Sequence, residues 1–124
     1  MNDKGALVTS SAGIRLIAQQ TLYNKGDFER LRGYIAENYA ESALESQPAA
    51  DRLADLRVLS GQAGKLRVAQ VVGASKHQVV VVMEAQQGDS YYLTQLAVEE
   101  DYPHKITLYS HQLLQDDIDE DSGP

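Results

Sequence analysis

Two side chains near the C-terminal end have the types and the spacing for proton chemistry. Tyr109 and His111 lie two residues apart, and in an extended strand that spacing puts both on one face. A phenol beside an imidazole can move a proton or orient a polar ligand. A general base also needs a partner to orient its ring. Glu84 and Asp89 are the candidates, and the spacing singles out neither. The alternative for the same pair is packing at a surface or interface, with the polar tips wet. Of Tyr91 and Tyr92, which point to opposite faces, one can enter a pocket and act as a further proton handler. Seven Tyr against one Phe suits pockets and interfaces alike, because tyrosine joins apolar bulk to a single hydroxyl. A ligand pocket is expected to be lined by Tyr39, Met83 and Tyr92. His77 and His104 fall at turns and are expected to be solvated.

Other chemistries lack their residues. With no Cys in the chain there is neither a disulfide framework nor a thiolate metal site. The His and acid spacing offers no zinc set. Asp117-x-Asp119-x-Asp121 opens like a calcium loop, but Ser122 stands where that loop needs Gly. No glycine-rich phosphate loop follows a strand. The expectation is therefore no metal and no cofactor.

Charge is placed unevenly. The chain has a net charge of −7, and Asp116, Asp117, Asp119, Glu120 and Asp121 crowd the end of it. The rest carries thirteen acids against eleven bases, close to neutral. Residues 116–124 thus read as a solvated acidic tail. Nucleic acid is not an expected partner, since counterion release needs a concentrated cationic surface. No apolar run approaches the ~20 residues of a membrane span, and the N-terminus lacks the basic start and apolar stretch of a signal peptide. The chain reads as cytoplasmic and not membrane-bound. A processed secreted domain would have the same composition.

The elements that must position these residues follow from periodicity. Residues 1–9 read as a flexible lead-in and 10–115 as one domain. Ser10 or Ser11 can cap a first helix through about Asn24, with Ile14, Ile17, Ala18 and Leu22 as its apolar face. Gly26 suits a left-handed helix end and Asp27 can cap the next helix. There Phe28, Leu31 and Ile35 form a stripe. Ser42-Ala43-Leu44-Glu45 fits a capping box for a short turn. Pro48 suits the first turn of a third helix carrying Leu53, Leu56 and Leu59. After Gly64 the period changes. Residues 65–74, 77–87, 90–100 and 104–114 predict four strands joined by short turns. Helices first and strands after give a segregated α+β fold: three helices packed on a curved four-stranded antiparallel meander.

Val79-Val80-Val81-Val82-Met83 and Leu96-Ala97-Val98 make this sheet apolar on both faces, whereas a half-exposed strand alternates. One face covers the helices. A second copy of the chain covers the other most simply, because a sheet face pairing with itself is isologous. The interface is expected to include Val80, Val82, Tyr109 and His111.

Leu22-Tyr23-Asn24-Lys25-Gly26-Asp27-Phe28, followed by Tyr34-Ile35-Ala36-Glu37-Asn38-Tyr39-Ala40, resembles the nuclear transport factor 2-like (cystatin-like cone) superfamily. Within it the pattern is similar to small domains that precede serine hydrolases in some bacterial proteins. The resemblance implies a sheet curled round helices, a cone-shaped pocket and homodimers through the sheet. Enzymes of the superfamily, such as ketosteroid isomerase, use Asp, His and Tyr in the cone, and no such motif is matched here residue by residue. The expected function is a non-catalytic accessory domain that binds a small apolar ligand or a protein partner. The alternative is a small isomerase, dehydratase or cyclase acting on an apolar substrate, with His111, Tyr109 or Tyr92 handling protons.

Overall fold

The computed structural model describes residues 4–87 and 89–114; the expected acidic tail, 116–124, lies outside them. Five helices come first: α1 (Lys4–Thr9), α2 (Ser11–Lys25), α3 (Phe28–Asn38), α4 (Glu41–Ser46) and α5 (Ala49–Ala63). Four strands follow: β1 (Leu66–Ala74), β2 (Gln78–Ala85), β3 (Tyr91–Val98) and β4 (Ile106–Leu114), in one antiparallel sheet of order β1-β2-β3-β4. The α+β class and the meander agree with the sequence. Among the described residues the helices number five, not three.

The first added helix takes up residues 4–9 of the expected lead-in. Leu7 of α1 is buried in the core, and α1 sits so close to α2 that a Cβ on Gly13 would lie 1.9 Å from the Leu7 carbonyl oxygen. Only a residue without a side chain fits there. The second is α4, which begins one residue before the expected capping box, with Ala40 rather than Ser42 at its N-cap. Its entry is fixed by the sheet instead: the Ala40 N–H donates to the Ile106 carbonyl at 2.7 Å, and Tyr39 bridges Ile106 in parallel.

Helix α2 starts at Ser10, whose hydroxyl accepts from the Gly13 N–H, and ends at Gly26 with φ 72°. Its buried face differs from the expected one. Ala12, Leu16, Gln19 and Tyr23 are buried, while Ile14 and Ile17 are exposed. Positions 12, 16, 19 and 23 form their own helical stripe, concealed in the sequence because one member is polar. In α3, Asp27 caps the Arg30 N–H and Leu31 and Ile35 are buried, as the stripe predicts. Helix α5 starts after Pro48 and buries Leu53, Leu56, Leu59 and Ala63. It packs on α3, while α2 lies across β1, β2 and β3 and α4 rests on β4.

Strands β2 and β3 alternate strictly. Val79, Val81, Met83 and Ala85 of β2, with Tyr92, Thr94, Leu96 and Val98 of β3, are buried on the inner face against the helices. Residues directly opposite across a strand pair share a face. Pairing of Leu96 with Tyr109 and Thr94 with His111 therefore puts Tyr109 and His111 on the inner face too. Val80, Val82, Leu93, Ala97 and Leu108 occupy the outer face. A register irregularity at Ala97/Val98 sets this phase in β4, and two more interrupt β1.

Both ends of the sheet are pinned by side chains. The Asn24 amide donates to the Leu66 carbonyl and accepts from its N–H, at 2.8 and 2.9 Å, as a strand neighbour would. Beside it the Tyr23 hydroxyl donates to the Gly64 carbonyl. At the other end Arg15 donates to the carbonyls of Pro103 and His104 and to the Asn38 side chain.

Candidate functional site

Helix α5 and edge strand β4 do not close on one another, and a cavity of about 250 Å³ lies between them. From α5 come Arg52, Asp55 and Leu56; from β4 come Tyr109, Ser110 and His111. Tyr39, at the end of α3, and Gln47, in the α4–α5 link, complete the wall. Helical spacing puts Arg52 and Asp55 on neighbouring turns, while strand alternation puts Tyr109 and His111 side by side, their ring centres 5.8 Å apart.

Every charged group here is already engaged. The Arg52 guanidinium donates to the carbonyls of Gln47 and Ala43, both at 2.8 Å, and lies over the Tyr39 ring at 4.9 Å. A guanidinium over an aromatic face gains from the ring quadrupole. The Asp55 carboxylate accepts from the Gln47 side-chain amide at 2.8 Å. Behind them the Tyr39 hydroxyl donates to Gln19 Oε1 at 2.6 Å, inside the core.

The deeper groups are held neutral by burial. Desolvation disfavours the charged form. It pushes the His111 imidazole below its ordinary value, only partly opposed by the field of Asp55. The Tyr39 phenol is pushed well above its ordinary value by burial, which outweighs the cation of Arg52. For Tyr109 burial acts in the same direction, helped by the neighbouring phenols of Tyr39 and Tyr23. Three buried polar atoms of this layer have no hydrogen-bond partner: His111 Nδ1, Thr94 Oγ1 opposite it on β3, and Gln19 Nε2.

Tyr109 and His111 thus meet as their spacing predicts, and Tyr39 lines the cavity with them. Met83 and Tyr92 do not. Both are buried in the packed core, although the Tyr92 ring meets His111 edge-on at 6.3 Å. Neither proposed orienting acid reaches His111. Glu84 is on the outer face, paired with Arg67, and Asp89 lines a separate cavity at the β2–β3 end of the sheet. The expected interface set also divides: Val80 and Val82 face outward, Tyr109 and His111 inward, because the register of β4 opposes the latter two to Leu96 and Thr94. His77 and His104 are not simply solvated. Their ring centres lie 5.7 Å apart and His104 Nδ1 is 2.9 Å from the Glu99 carbonyl.

Sequence reasoning missed Arg52, Asp55, Gln47 and Leu56. A charged pair at i, i+3 between buried leucines marks the boundary of a helix face, but the approach of β4 to that boundary is a tertiary fact. Among the described residues no group of three or more His, Cys, Asp or Glu is arranged to hold a metal ion, and no helix is long and apolar enough to cross a membrane. Comparison with known proteins finds no matching family model, no matching curated protein and no matching solved structure.

Proposed function

We propose that this chain is a non-catalytic binding module with the nuclear transport factor 2-like cone architecture. It pairs with a second copy through the outer face of its sheet and receives a small ligand in the cavity between α5 and β4. The observation that carries the pairing is the chemistry of the outer face. Val80, Val82, Leu93, Ala97 and Leu108 form its centre, with Tyr91, Leu108 and Leu114 more than a third exposed. Among the described residues its one charged pair, Arg67 and Glu84, is neutralised within the chain. In an isologous contact each residue near the axis meets its own counterpart, so an unpaired charge would meet a like charge. A face with none suits self-association. A packed inner core beside that apolar surface supports a binding role.

Sedimentation velocity across micromolar concentrations tests the pairing. Val82→Glu should convert dimer to monomer, with at least a tenfold weaker association, because like charges are brought together at the axis. Val58→Glu, at an exposed position on α5, should leave assembly unchanged. A wild-type chain that stays monomeric throughout the range overturns the proposal.

A second reading, an isomerase-type enzyme, is favoured by the approach of Tyr109 to His111 near Asp55. Against it, among the described residues no carboxylate lies within ion-pair distance of His111. Deuterium exchange next to the carbonyl of a small cyclic ketone discriminates: exchange no faster than in His111→Phe removes the enzyme reading.

A further inference from the structure

The cavity between α5 and β4 constrains what can occupy it more narrowly than its size does. Its walls are flat. The Arg52 guanidinium lies on the Tyr39 ring, and across the cavity stand the rings of Tyr109 and His111, inclined at 56° to each other. Its hydrogen-bonding groups are of mixed sense. A neutral imidazole carries one donor and one acceptor, and the hydroxyl of Tyr109 can do both. His111 Nδ1 is buried and unpartnered. As the ring stands this atom has no surface open to the cavity, so a ligand meets it only when the His111 ring turns.

Charge is balanced to the same end. Arg52 and Asp55 oppose one another three residues apart on α5, and each is held by neutral groups of the chain. Burial keeps the phenols of Tyr39 and Tyr109 protonated and works against a charge on His111. A carboxylate ligand would only accept hydrogen bonds and would face Asp55. An ammonium ligand would only donate them and would face Arg52. Either would surrender hydration without an unopposed counter-charge.

We propose that this cavity binds a small, neutral, planar molecule carrying both a hydrogen-bond donor and an acceptor, of the amide, lactam or heterocyclic-base class. This rests on the binding function proposed above and replaces an apolar ligand with a polar one. A single ring with one amide group fits within about 250 Å³.

Three probes of nearly one shape separate the possibilities: benzamide, which is neutral, benzoate, an anion, and benzamidine, a cation. Each is titrated at millimolar concentration, the range expected of so small a ligand, into the full chain while amide resonances are followed by NMR. Benzamide should shift residues of β4 and the first half of α5, with benzoate and benzamidine at least fivefold weaker. His111→Phe, which keeps a flat ring, should weaken benzamide roughly three- to tenfold. If that variant is unfolded by circular dichroism, Tyr109→Phe is used in its place with the same expectation. Asp55→Asn should raise benzoate affinity roughly two- to fivefold by unbalancing Arg52. Benzoate or benzamidine binding the cavity as tightly as benzamide overturns the ligand class and leaves the binding function standing. Unchanged benzamide affinity in the folded variant overturns the class as well. No shift at the cavity with any probe overturns both.

Discussion

The two faces of this sheet are made from the same strands and both carry valine and leucine, yet they solve different problems. On the inner face Val81, Met83 and Leu96 are wholly buried, and polar groups such as Thr94 and Gln19 are buried among them. On the outer face Val80, Val82 and Leu93 keep part of their surface open, and polar residues, Gln95 and Gln112 among them, remain in contact with water. The inner face is closed by helices of its own chain; the outer face carries no helix among the described residues and is the one proposed above for pairing. Adjacent residues of one strand can therefore have nearly the same hydropathy and opposite consequences when changed.

Three measurements sharpen or break that contrast. The largest effect is expected at alkaline pH. Burial raises the Tyr23 phenol to about 12, with the Tyr92 phenol adding to it, and raises Tyr34, Tyr39 and Tyr109 as well. A group whose folded value lies above its ordinary value of 10 stabilises the fold fully below pH 10 and loses that contribution as the pH rises through the folded value. Unfolding by circular dichroism should therefore accompany tyrosinate formation from about pH 10 to 12 and above. Ionisation of these tyrosines with the native spectrum retained would contradict an inner layer closed to water. His111 works in the opposite sense: its lowered value gives stability present above about 6.5 and lost as the pH falls through the folded value.

Next in size is a pair of neighbours on β2. Met83→Ala, on the inner face, should cost about 2–5 kcal/mol in urea denaturation, the usual range for truncating a buried side chain. Val82→Ala, measured at a concentration where the chain is monomeric, should cost less than about 1 kcal/mol. Equal costs would mean the two faces are not different environments. Smallest is Tyr39→Phe, which keeps the ring but removes the donor to Gln19 Oε1. Since Gln19 Nε2 is already unpartnered, both ends of a buried amide would then be unsatisfied, at about 1–3 kcal/mol in the same assay.

How much of this was legible in the sequence depended on whether a residue's environment is set locally. The strands of the meander announced themselves through valine and tyrosine runs broken by turn residues, and Gly26-Asp27 marked one helix end and the next start. Helix α2 misled because burial there follows tertiary partners. Gln19 is inside because the Tyr39 hydroxyl, twenty residues away, satisfies its carbonyl, while Ile14 and Ile17 point away from the sheet although they are more apolar. Helix α1 is six residues long, too short for a periodic signal, and owes its place to the gap over Gly13. For the site, spacing correctly paired Tyr109 with His111. It could not say which face they share, since one irregularity opposite Ala97/Val98 fixes the phase of β4. Nor could it bring Arg52 and Asp55 to that strand, because their approach is made by the packing of α5 on α3.

The Asn24 amide on Leu66 and the backbone of Tyr39 and Ala40 on Ile106 have a consequence beyond holding helices to strands. β1 and β4 are the two borders of the sheet, and each has its opening residue already hydrogen-bonded on the open side. A foreign strand arriving at either border would have to displace those bonds or begin its pairing part-way along. A protein with a valine-rich sheet face thus obstructs, at its borders, the sideways, strand-by-strand growth that leads to fibres.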